Sequence, residues 1–217
     1  MTPPEITASL SAADPSVRLR AALAAGSAAD PDLLNALVER CGAEPDFFVR
    51  DMLSWALTRL PAATVLPRLD VELGSPRPRA RAQALHTLSK IADPATADRV
   101  SPALLRDPDD EVARTAWRTA VVLVAAGGRA ALAAELGRQL GRGDRAVRLS
   151  LSRALADLGE AADGVLDRAA TDPDPVVAAH ARATLLLRAD PDAGFDDAVE
   201  QARRVVALGP GHEVASC

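Results

Sequence analysis

DFFVRDMLSWALTRL (46–60) and DRAVRLSLSRALADL (144–158) carry one pattern. Counted from Val49 and Val147 as zero, apolar or small residues stand at offsets 0, 4, 7, 8 and 11: Val49, Leu53, Ala56, Leu57 and Leu60 in one, Val147, Leu151, Ala154, Leu155 and Leu158 in the other. Those steps return to a single side of a 3.6-residue helix and to both sides of a strand, so each stretch is an amphipathic α-helix. Variants recur around Val17, Ala80, Val112 and Val176, giving successive spacings of 32, 31, 32, 35 and 29 residues. A period of this length is the mark of a helical repeat array, in which no unit can bury its apolar face alone and neighbours share the core.

Between the copies lies a second amphipathic stretch: LLNALVERC from Leu33, VLPRLDVEL from Val65, ADRVSPALL from Ala97, AALAAELGRQL from Ala130 and DGVLDRAA from Asp163. Each unit therefore reads as a helix pair. Pro31, Pro61, Pro94 and Gly127–Gly128 open the first helices; Glu44-Pro45, Ser75-Pro76, Asp107-Pro108 and Asp172-Pro173 open the second, with Pro accommodated in a first turn. A last helix is expected over about 194–208, closing the array. The reading is one repeat domain over 1–208 and a flexible tail, GPGHEVASC, over 209–217.

Apolar residues make up 48% of the 217 positions but aromatics only 2%, so the core must be built from Ala, Leu and Val. No apolar run reaches membrane-spanning length and the N-terminus has no signal-peptide pattern, so a cytoplasmic protein with no membrane contact is expected. Cys41 and Cys217 are the two cysteines, and reduced thiols are the default in that compartment. The net charge of −5 conceals a segregation: residues 1–76, 77–153 and 154–217 carry −4, +6 and −7. A basic middle can steer an acidic partner, although solvated helix faces carry such charge routinely.

An Asp three residues before a Val-Arg pair recurs at Asp14/Val17-Arg18, Asp46/Val49-Arg50 and Asp144/Val147-Arg148, with Ala80-Arg81 as a variant. With these motifs residues 10–190 resemble HEAT-repeat proteins of the short bacterial type, similar to the HEAT-like repeats of phycobilisome lyases. The resemblance implies an all-α, right-handed α-solenoid of about six helix pairs, with the second helices lining the concave side. It also implies an Asp–Arg ladder between adjacent repeats, interrupted where Ala113 and Val177 replace Arg.

On that concave side offset 6 forms a row: Leu23, Trp55, His86, Arg118, Arg153 and Arg182. Trp55, His86, Arg118, Arg153 and Arg182 are the candidate partner-binding residues, since guanidinium groups pair well with planar anions. Asp51 beside Trp55, with Trp117 two repeats on, invites comparison with alkylpurine DNA glycosylases of HEAT-like fold, but an acidic chain makes a poor nucleic-acid binder. Metal-dependent hydroxylases of this fold use repeated His-Glu pairs, whereas this chain has one, His212-Glu213, in the tail; no metal site and no cofactor are expected. His180, at core offset 4, reads as a buried, hydrogen-bonded imidazole.

The function expected from these residues is a non-enzymatic scaffold that binds a protein or peptide, acidic in character, on its concave face. Two alternatives stand beside it. In one, the tail with His212, Glu213 and Cys217 is the functional element, presented to a modifying enzyme or capturing a metal, and the solenoid is its handle. In the other, the chain is a HEAT-like enzyme or a subunit acting on nucleic acid.

Overall fold

The computed structural model describes residues 1–190 together with Val199, Glu200 and Arg203. All regular structure among these is helical, and the chain divides into two compact units, Met1–Leu123 and Val124–Cys217. The division falls within the array, between the fourth and fifth copies of the repeat.

The first unit holds four helix pairs: α1 (Pro3–Leu10) with α2 (Pro15–Ala28), α3 (Leu34–Ala43) with α4 (Phe47–Thr58), α5 (Ala62–Leu73) with α6 (Pro78–Ile91), and α7 (Pro102–Leu105) with α8 (Asp110–Leu123). Contacts run α2 to α4 to α6 to α8 in one layer and α1 to α3 to α5 in the other. The second unit repeats the scheme with α9 (Arg129–Gly137) and α10 (Arg145–Asp157), then α11 (Asp163–Ala169) and α12 (Pro175–Ala189). Here α10 packs on α12 and α9 on α11.

All six copies of the decisive pattern are therefore helices, and the helix-pair fold is HEAT-like. In the second, third, fourth and sixth copies the N-cap lies two residues later than the Pro-containing dipeptide suggests. Asp14, Asp46, Asp144 and Asp174 accept from the backbone N–H of Ser16, Val49, Val147 and Val176 at 2.8, 3.1, 3.0 and 2.8 Å, and Asp109 accepts from Glu111 and Val112. Each cap satisfies amide donors that a helix start leaves open. The stretch 97–105 is not one helix: Pro102 holds Ser101 extended, and a 3-10 turn over Pro94–Arg99 precedes the single-turn α7.

In the second, fourth and fifth copies all five stripe positions are buried, and in the third all but Ile91. The first helix of the layer, α2, has a neighbour on one side only, and there Val17 is half-buried. Val176 is exposed, while His180, Ala183 and Thr184 farther along the same helix are buried. One further row is buried throughout: offset 5, comprising Ala22, Ser54, Leu85, Trp117, Ser152 and Ala181. These helices are covered by their first-helix partners and by their neighbours in the layer, so the buried surface is wider than one stripe. Trp117 fills the most space, fully buried with its indole N–H donating to the Leu105 carbonyl at 2.9 Å. Cys41 is buried too, its Sγ 3.7 Å from Ser54 Oγ, and burial pushes its thiol up to about 11.

The ladder differs from the one the family resemblance implies. The capping Asp serves its own helix, and the partner of Arg is the carboxylate two residues before the next cap. Arg18 donates through Nε and Nη2 to both oxygens of Glu44 at 2.8 and 2.7 Å, and Arg81 likewise to Asp107 at 2.8 and 2.9 Å. Each acceptor also takes the N–H of the following cap residue, Asp46 at 2.9 Å and Asp109 at 3.0 Å. Burial by itself raises the Glu44 pKa, but hydrogen bonds from Arg18, Asp46 N–H and Arg40 outweigh it and bring the carboxyl to about 2. Arg148 forms no such rung, and its buried Nε lacks a hydrogen-bond partner among the described residues.

His180 is buried as its core offset suggests. Its Nδ1 accepts from Gly141 N–H at 2.9 Å, which leaves Nε2 to carry the proton; the Arg148 carbonyl lies 3.0 Å and the Ser152 hydroxyl 3.1 Å away. Burial, only partly offset by the Arg148 carbonyl, pushes the imidazole down to about 4. Below its ordinary value of 6.5 the unfolded chain takes up the proton first, so the stability His180 contributes is present above pH 6.5 and is lost as pH falls through 4. The shift corresponds to roughly 3 kcal/mol at most. Urea midpoints between pH 7 and pH 4.5 should fall more steeply for the native chain than for His180→Phe; identical slopes would assign the acid sensitivity elsewhere.

Candidate partner-binding groove

The second-helix layer of the first unit carries two adjoining clefts, of about 380 and 250 Å³. Both are bordered by Arg50 on α4, Gln83 on α6 and Glu111 on α8, so together they form one groove across three successive helices. The larger continues toward Arg79 and Asp109, the smaller toward Phe47, Asp51, His86, Thr115 and Arg118. Phe47 is 64% exposed, meets Phe48 edge to face at 5.6 Å between centroids, and has the Arg50 guanidinium 5.9 Å from its ring centre. An aromatic ring left this open beside a cation is a ready contact for an incoming apolar or planar group.

Within the groove Asp51 is bound to its own wall, 2.9 Å from Lys90 Nζ and 3.5 Å from His86 Nε2. Lys90, and after it His86, hold the Asp51 carboxyl below its usual value despite partial burial. Burial and the Lys90 charge lower the His86 pKa more than Asp51 raises it, so His86 is neutral near pH 7. Arg118 is exposed, and among the described residues its side chain makes one hydrogen bond, to Thr115 Oγ1 at 3.2 Å.

His86 and Arg118 thus lie in the groove. Trp55 sits outside the two clefts, half-buried against α2, where a Cβ at Gly26 would collide with its ring. Arg153 and Arg182 belong to the second unit: Arg153 is exposed on α10, while Arg182 is half-buried and its Nε donates to the Ala170 carbonyl at 2.8 Å. His212, Glu213 and Cys217 lie outside the described residues, as does most of the helix expected over 194–208. Trp117 is core, so it cannot join Asp51 and Trp55 at a base-binding surface. Among the described residues no group of three or more His, Cys, Asp or Glu is placed to hold a metal ion, and no helix is long and apolar enough to cross a membrane.

Phe47, Arg50, Gln83 and Glu111 were not among the candidates from sequence. They occupy offsets −2, 1, 3 and −1, scattered positions that only the stacking of helices brings together. One signal was present: Arg50 has no acidic residue at 75 to form its rung.

Neither the comparison with protein families nor that with curated proteins gives a match. Among solved structures, human deoxyhypusine hydroxylase in complex with glycerol is similar at 18% identity over 95% of this chain and 94% of that one, with a TM-score of 0.45. The CpcE–CpcF complex of phycocyanin lyase from Nostoc sp. PCC7120 is similar at 19% identity over 95% of both chains, with a TM-score of 0.39. Identities this low bear on fold alone. The expectation of a non-enzymatic chain is nevertheless corrected, because one of these similar structures is an enzyme and the repeat fold is therefore no ground for excluding catalysis.

Proposed function

We propose that this HEAT-like chain holds an extended segment of a protein partner in the groove across α4, α6 and α8. The supporting observation is the continuity of the two clefts through Arg50, Gln83 and Glu111, with Phe47 exposed at one end. Three helices packed 8–10 Å apart span roughly 20 Å, enough for about six residues of extended chain at 3.3 Å each. The side chains on offer are mixed: aromatic, amide, neutral imidazole, guanidinium and carboxylate. Such a surface suits a polypeptide, whose backbone and side chains supply donors and acceptors in alternation.

Partner capture from lysate of the source organism, read by quantitative mass spectrometry, tests the groove. Arg118→Glu, at an exposed position, should leave the circular dichroism and melting temperature unchanged and reduce the captured partner at least tenfold. A partner kept in full by that variant places the interaction on another face. One lost only on removing residues 209–217 transfers the function to the tail.

A further inference from the structure

Three arginines occupy the same place in consecutive repeats of the first unit, and each is anchored alike. Arg18 donates through Nη1 to the carbonyls of Ala12 and Ala13 at 2.9 and 2.7 Å, Arg50 to those of Glu44 and Pro45 at 3.0 and 2.7 Å, and Arg81 to that of Ser75 at 2.8 Å. Arg18 and Arg81 then offer Nε and Nη2 side by side to Glu44 and Asp107. The corresponding residue for Arg50 is Ser75, whose hydroxyl accepts from Arg77 N–H at 3.3 Å as the two acids accept from their caps. Serine carries no charge and is too short to form a rung, so among the described residues Nε and Nη2 of Arg50 make no hydrogen bond. Beside this arginine opens the cleft of about 380 Å³, also lined by Arg79.

We infer that the free edge of Arg50 receives the carboxylate of an Asp or Glu side chain from the bound polypeptide, which completes the rung the chain itself leaves open. This rests on the groove reading above and names the chemistry its occupant must bring. A planar carboxylate matches the guanidinium edge through two parallel hydrogen bonds, and Glu44 and Asp107 display that match one repeat to either side. Arg50 borders both clefts, so the occupant continues past it in both directions and contributes an internal residue, not a chain terminus. The acids nearby set the flanking residues. Asp109 is engaged by the amides of its own helix and Glu111 lies 3.5 Å from Arg114, and these two acids at the cleft favour neutral or basic neighbours on either side of the ligand's acid. They also disfavour a dianionic phosphate.

The test uses the full chain and the Nε–H resonances of its arginines. The probe is the capped peptide acetyl-Lys-Ala-Glu-Ala-Lys-amide, set against the same peptide with Gln for Glu, the Gln peptide with a free C-terminus, and inorganic phosphate. The Glu peptide should move the Arg50 resonance and the other three ligands should not. Ser75→Asp, confirmed as folded by circular dichroism, should shift that resonance toward those of Arg18 and Arg81 with no ligand present and weaken the Glu peptide at least tenfold. The inference is overturned if Arg50 ignores the Glu peptide, if it answers the Gln peptides or phosphate as strongly, or if Ser75→Asp binds like the native chain. A cellular partner lost with Arg118→Glu but retained by Ser75→Asp would keep the groove and remove the carboxylate.

Discussion

Glu44→Ala is expected to destabilise the first unit by about 3–5 kcal/mol, the usual cost of removing one member of a buried ion pair. Glu44 is fully buried and accepts from Arg18, from Arg40 at 2.7 Å and from the N–H of Asp46, so alanine leaves a buried guanidinium with carbonyl partners only and a helix cap without its outer hydrogen bond. The depressed carboxyl leads to the same size of effect. A pKa near 2 against an ordinary 4.5 places the gain above pH 4.5, to be lost as pH falls through 2, and amounts to roughly 3 kcal/mol. Urea denaturation followed by circular dichroism reads it directly. Replacing both partners, Glu44→Leu with Arg18→Met, should recover most of the loss, because the cost comes from the orphaned charge and not from absence of the pair. If the double variant is as weak as the single one, the pair specifies the local structure and does more than neutralise itself.

Trp117→Ala should cost a similar 3–5 kcal/mol for a different reason, the cavity left by a fully buried indole. The indole closes α8 onto α7, and its N–H is the partner of a carbonyl at the end of that single-turn helix. Trp117→Phe refills most of the volume and removes the donor to that carbonyl, so it should cost about 1–3 kcal/mol. Fluorescence provides an independent check. With Trp117 gone, the remaining emission comes from half-buried Trp55 and should lie to the red of the native spectrum.

The periodic part of this fold was legible because burial is periodic. Apolar positions at 4, 7, 8 and 11 can be satisfied only by a helix with covered neighbours, and copies two, four and five bury all of them, copy three all but Ile91. Offset 5 escaped because it alternates between Ser54 or Ser152 and Leu85 or Trp117, and a buried serine looks polar until its partner is seen. The rungs were assigned to the wrong acid for a related reason. Asp46 stands four residues from Arg50, while the carboxylates that bind Arg18 and Arg81 stand 26 residues away, across a helix pair. The candidate site was half legible: His86 and Arg118 lie on a repeated offset, but Phe47, Gln83 and Glu111 share a groove through three-dimensional stacking alone.

The buried thiol of Cys41 gives the first unit a built-in clock. With its pKa raised to about 11 and its sulfur enclosed between α3 and the Ser54 side of α4, it is protonated and shielded while the unit is closed, and reacts only when the helices part. Its labelling by an alkylating reagent, read at Cys41 with Cys217 replaced by serine, therefore reports how readily the unit opens. Anything seated in the groove across α4, α6 and α8 would slow that labelling without touching the sulfur, so occupancy becomes readable as a rate, whatever the occupant and with no dye attached to the chain.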